Sequence, residues 1–112
     1  MRPSPPRSLV FAMDVINAIA KVRFNSARPQ RVQLHRCPDY ACDLVCLEPG
    51  QELSGTGRCG YYVIAGSGQM KAGAGTRPLS MGSLASCDER ESYTLVNSSE
   101  QRLICLAISN RS

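Results

Sequence analysis

The sequence is short of the residues on which much enzyme chemistry depends. It has one histidine, His35, and only 5% aromatic side chains in 112 residues. A lone histidine reads as a surface or otherwise satisfied side chain rather than a ligand. No Cys-x-x-Cys pair occurs among the six cysteines, which argues against a zinc ribbon. No Gly-x-Ser-x-Gly elbow is present, so an α/β-hydrolase nucleophile is excluded. Gly66-Ser67-Gly68 and Gly73-Ala74-Gly75 lack the Gly-Lys-Ser/Thr and the following helix of a phosphate loop, and read as hairpin turns. No apolar run approaches the roughly 20 residues of a membrane-spanning helix. The basic residues are neither repeated nor interleaved with aromatics, which argues against a nucleic-acid surface.

What is there describes a small globular domain. Hydrophobic content is 43% and charged content 20%, the balance of a soluble protein with one core. Residues 1–12, with three prolines and two arginines before Ser8, read as a disordered leader, and residues 13–112 as the folded domain. The run Ser8 to Met13 is too short for a signal-peptide core and Asp14 interrupts it, so Met13 could itself be the start. The net charge of +4 is uneven: residues 1–36 carry seven Lys/Arg against one Asp, and the remainder six against eight Asp/Glu. Such a basic third reads as a solvated surface. Cys46 and Cys105 lie inside apolar runs, where cysteine behaves as a small hydrophobe. With no secretory signal, all six thiols are expected reduced, in a cytoplasmic protein.

Along the chain, Val15, Ile16, Ile19, Ala20 and Val22 fall near helical spacing, so a short helix is expected over 13–24 with Asp14 as its cap. In 31–36, Val32 and Leu34 alternate with polar residues, as in a half-buried strand. Strands follow at 41–48, 59–65, 69–71, 77–81, 84–87, 93–96 and 102–108, punctuated by glycine and by the polar stretches 88–91 and 97–100. Residues 51–58 read as a flexible linker. This succession of short strands is an all-β pattern, an antiparallel barrel or jelly roll with a short N-terminal helix.

The chain resembles a small single-domain cupin. The second cupin motif is Gly, five residues, Pro, one, Gly, two, His, three, Asn; here Gly82, Asp88, Arg90, Tyr93 and Asn97 stand at those places. The first motif begins at Pro49-Gly50 and ends at Gly66, which puts Cys59 at the glutamate position. Its histidine pair would fall between Glu52 and Gly55, where there is none. Metal-dependent cupins hold iron, manganese, nickel or zinc with three histidines and a glutamate. The resemblance therefore implies the cupin barrel without its metal set, and no cofactor is expected.

What the resemblance leaves is a pocket. Alternation puts Cys59, Tyr61 and Val63 on one face of their strand, which the family alignment makes the inner one, with Tyr93, Leu95 and Asn97 opposite. Cys87 joins them, and Arg58 and Arg90 sit near the mouth, where guanidinium groups could take an anionic ligand. The expected function is non-catalytic binding of a small molecule, or pairing as a homodimer. A metal-independent isomerase or epimerase using Tyr93 and Cys59 is the alternative. A thiolate-bound metal on Cys59 and Cys87 is the third. Neither nucleic acid nor membrane is an expected partner.

Overall fold

The computed structural model describes residues 13–73 and 75–110; the expected leader lies outside them. After a 3₁₀ turn at Ala18–Lys21 come nine strands: β1 Gln30–Arg36, β2 Tyr40–Leu47, β3 Glu52–Thr56, β4 Cys59–Ala65, β5 Gly68–Ala72, β6 Gly75–Leu79, β7 Leu84–Cys87, β8 Ser92–Val96 and β9 Leu103–Asn110. They form two sheets, β1-β2-β9-β4-β7 and β3-β8-β5-β6, with every pairing antiparallel. The fold is the all-β jelly roll expected from the strand pattern. Among the described residues no helix is long and apolar enough to cross a membrane.

The core lies between the sheets. Val45, Leu47, Cys59, Tyr61, Val63, Leu103, Cys105 and Ala107 of the first sheet meet Met70, Leu79, Tyr93 and Leu95 of the second. These positions recur every second residue, as a pleated strand with one buried face requires. The hairpin from β4 to β5 packs so closely on β9 that a Cβ on Gly66, whose φ is +87°, would strike the Arg102 carbonyl. Only glycine is comfortable there.

Two expectations are corrected. The N-terminal helix is a single 3₁₀ turn, capped by Asn17 Oδ1, which accepts from Ile19 N and Ala20 N at 3.0 and 3.3 Å. The turn buries no residue, so nothing supports a longer helix against the cost of nucleating one. The supposed linker contains β3, which pairs with β8 from Glu52↔Val96 to Thr56↔Ser92. Its outer face carries hydroxyl pairs, Ser54 with Thr94 at 3.0 Å and Thr56 with Ser92 at 3.3 Å.

The alternation expected of β1 is present, with Val32 and Leu34 half-buried between exposed polar residues, and the register sets which face each takes. Arg31 pairs with Val45 and Gln33 with Asp43, so these polar residues share the inner face. Val32 takes the other face, beside Leu44, and Leu34 falls at a register shift between Gln33 and His35. On that outer face Leu44 and Cys46 are nevertheless fully buried. The Arg23 backbone lies near the Cys46 thiol, and the Phe24 ring lies under the Arg102 guanidinium at 4.4 Å. The segment after the 3₁₀ turn thus covers this part of the sheet.

Candidate functional site

A row of paired residues runs across the inner face of the five-stranded sheet: Gln33, Asp43, Ala107, Tyr61 and Ala85. Ala107, the small residue in the middle, leaves room above it. Arg31 fills that room, donating from Nη1 to Asp43 Oδ2 and from Nη2 to the Tyr61 hydroxyl, both at 2.9 Å. The Tyr61 hydroxyl meets the Tyr93 hydroxyl at 3.0 Å, and the two rings sit edge to face at 5.5 Å. Cys59 and Cys87 lie in the same buried cluster as the two tyrosines. A hydrogen-bonded chain therefore runs from Asp43 through Arg31 and Tyr61 to Tyr93.

Glycine makes the crossing possible. Gly55 of β3 pairs with Tyr93, and a Cβ at Gly55 would lie 2.6 Å from Tyr93 Cζ. The phenol thus occupies the space next to the strand on which the cupin histidine pair would stand.

Burial sets the protonation of this chain. Desolvation, followed by the hydrogen bond with Tyr61 and the nearby Cys59 thiol, pushes the Tyr93 phenol well above its ordinary value. Burial, with Cys59 and the carboxylates of Glu91 and Asp88 nearby, raises the Cys87 thiol to about 11. Both groups are neutral at pH 7. Burial lowers the Arg31 pKa, but Tyr61 and Asp43 more than offset this and the net shift is upward. Asp43 is 3% exposed; its Oδ1 accepts no hydrogen bond and is met only by Arg36 at 3.6 Å.

A half-enclosed cleft of about 480 Å³ opens beside this chain. It runs between β6 and β7, the last strand of each sheet. Met70, Leu79, Ala85 and Cys87 line it on the core side, and Arg77, Ser83, Ser86 and Glu91 add polar groups.

The comparisons give the architecture its name. The Thermus thermophilus protein TT1209 superposes with a TM-score of 0.83 at 19% identity, over 88% of this chain and 97% of that one. An uncharacterised Klebsiella pneumoniae protein with a double-stranded β-helix domain gives 0.80 at 21% identity, over 88% and 90%. A cupin superfamily protein of Desulfitobacterium hafniense gives 0.75 at 10% identity, over 89% and 94%. The fold is a cupin. No family model matches the chain, and no curated protein does. At these identities the likeness is one of cupin fold alone.

Within this cupin barrel the predicted site residues divide. Cys59, Tyr61, Val63, Cys87, Tyr93 and Leu95 share one buried cluster. Asn97 is fully buried but engaged in the loop after β8. Its Nδ2 donates to the Leu47 and Gln101 carbonyls, and its Oδ1 accepts from Ser99. Arg58 is exposed and paired with Glu89 at 3.1 Å; Arg90 is exposed on the same turn as Glu89. Neither arginine lines the cleft, where the guanidinium is that of Arg77.

The cupin metal set does not fit these residues. Cys59 and Tyr93, at the places of a glutamate and a histidine, are packed in the buried cluster, and the Tyr93 hydroxyl is engaged by that of Tyr61. His35 is exposed on β1, with its ring 5.7 Å from Tyr40. Among the described residues no three His, Cys, Asp or Glu side chains converge as metal ligands do.

Sequence reasoning missed Arg31, Asp43 and the cleft residue Arg77. Asp43 did leave a signal: a lone carboxylate in the apolar run 41–47 needs a buried partner. Nothing local named that partner, because Arg31 comes from another strand.

Proposed function

We propose that this cupin binds a small molecule non-catalytically in the cleft between β6 and β7, without a metal. One observation carries the reading: the cleft reaches the core while the polar groups beside it bond to one another. Its volume is in the range of small-molecule sites, roughly 300–1,000 Å³. Its lining favours a ligand with an apolar body and an anionic end, the latter set against Arg77. Tyr93 would be the acid or base of a metal-independent reaction, but it keeps its proton at neutral pH and faces Tyr61 rather than the cleft. A cytoplasmic setting, with its reducing thiol pool, suits cysteines that form no disulfide with one another.

The test is a fragment screen by ligand-observed NMR, repeated on Ala85→Phe and Arg77→Gln. Ala85 is half-buried beside the cleft, so phenylalanine there fills it. Binders should vanish with Ala85→Phe, and anionic ones should weaken with Arg77→Gln. Binding undiminished in Ala85→Phe would overturn the reading.

A specific surface favours a second reading, pairing with another copy. Tyr62, Leu84 and Ile108 lie on the outer face of the five-stranded sheet and are 45, 71 and 47% exposed. Tyr62 pairs directly with Leu84, and the half-buried Leu106 adjoins them. Contiguous apolar surface of this kind is a common docking face. Leu84→Glu should convert a dimer to a monomer in sedimentation equilibrium; a wild-type protein already monomeric at its highest soluble concentration sinks the idea.

A further inference from the structure

The thiols of Cys59 and Cys87 have no role in the ligand reading beyond lining the barrel, yet their placement is unlike that of the other four cysteines. They are directly opposite each other on β4 and β7. In the same ladder Val63 N–H donates to the Ser83 carbonyl at 2.9 Å. Pairs two and four residues further on share that phase, so Cys59 and Cys87 form a hydrogen-bonded pair, with Cα atoms about 5.5 Å apart. That separation falls inside the roughly 4.4–6.8 Å that a disulfide spans, and bringing the Cβ atoms to the roughly 3.5–4.5 Å it also needs draws β7 slightly toward β4. Both thiols lie in the same buried cluster. Cys87 lines the cleft and can be approached by a small reagent, and β7 is a four-residue edge strand held by one ladder.

We infer that Cys59 and Cys87 are a reversible dithiol–disulfide site, oxidised through the cleft by a low-molecular-weight disulfide of the glutathione type. Cys87 loses its proton to water and its thiolate attacks one sulfur of the oxidant. The oxidant's S–S bond breaks, one thiolate leaves, and a mixed disulfide forms on Cys87. Cys59, deprotonated in turn, attacks the Cys87 sulfur and releases the second thiolate. Both leaving thiolates take up protons, so one disulfide is reduced to two thiols as the protein's two thiols become one disulfide. The bond fastens β7 to β4 and removes the Cys59 S–H beside Tyr93. It thereby stiffens one wall of the proposed ligand cleft, a consequence that rests on the binding reading; the disulfide itself does not.

The experiment equilibrates the full chain in reduced and oxidised glutathione at graded ratios, then traps free thiols and maps peptides by mass spectrometry. The peptides holding Cys59 and Cys87 should link to each other, as one intramolecular species, while Cys37, Cys42, Cys46 and Cys105 stay alkylated. Dithiothreitol should reverse the link, and Cys87→Ala should abolish it. Hydrogen exchange of the β7 amides should slow in the oxidised form. Thiols that remain fully alkylated at the oxidising end, a glutathione adduct that never resolves, or a link involving another cysteine overturns the inference. The wild-type peptide map decides this even if a variant folds poorly, and it does so whether or not any fragment binds.

Discussion

Gly55 has no side chain, and Tyr93 lies in the space this leaves. Gly55→Ala should therefore force the Tyr93 ring aside, costing about 1–3 kcal/mol in denaturant unfolding. Gly75 is the control. A Cβ there meets nothing closer than the Ala72 carbonyl at 3.8 Å. Gly75→Ala should be neutral or stabilise by about 0.5 kcal/mol, because it restricts the unfolded chain. Arg31 makes a different case. Arg31→Met strands the buried Asp43 carboxylate and should cost about 2–3 kcal/mol. That is less than a fully buried pair, since 36% of the Arg31 side chain faces solvent. Arg31→Met with Asp43→Leu should recover most of the loss, which a double-mutant cycle measures. At this scale the sequence was partly legible. Alternation put Cys59, Tyr61 and Val63 on one face, and the cupin resemblance made that face the inner one, with Tyr93 opposite. Arg31 was not legible, because a long side chain on an edge strand can reach inward while its neighbours point the other way.

Strands bounded by turn residues and built from β-branched and aromatic residues, such as β4 and β8, were readable because pattern and turn chemistry agree. β3 was not. Leu53-Ser54-Gly55-Thr56 has too little apolar content to read as a strand, and its order comes from pairing with β8. The segment 13–24 failed in the opposite sense, its apolar spacing suggesting a helix that no packing supports. Ile19→Ser, on the exposed 3₁₀ turn, should accordingly shift the urea midpoint little. Phe24→Ala, which strips the ring from under Arg102 and uncovers the sheet near Cys46, should cost about 1–2 kcal/mol.

The molecule as a whole should lose stability in alkali. Burial raises the Cys87 thiol to about 11 and the Cys105 thiol to about 12, against 9.0 for an ordinary thiol. The folded chain therefore holds these protons after the unfolded chain has released them. The stabilisation is complete below about pH 9 and disappears as pH climbs toward 11–12. The melting temperature should fall across that interval, and Cys105→Ala should flatten the fall. Stability unchanged from pH 8 to 11 contradicts these shifts.

The arrangement of strands also decides how the molecule gives way under load. β1 is held along one side only, whereas β9 is clamped between β2 and β4. Tension applied at the two chain ends would peel β1 away like tape, breaking its rungs one at a time, while the C-terminal strand must shear two ladders at once. The barrel should yield from its N-terminal border inward, with the Arg31 guanidinium among the first fastenings on that flap to carry the load.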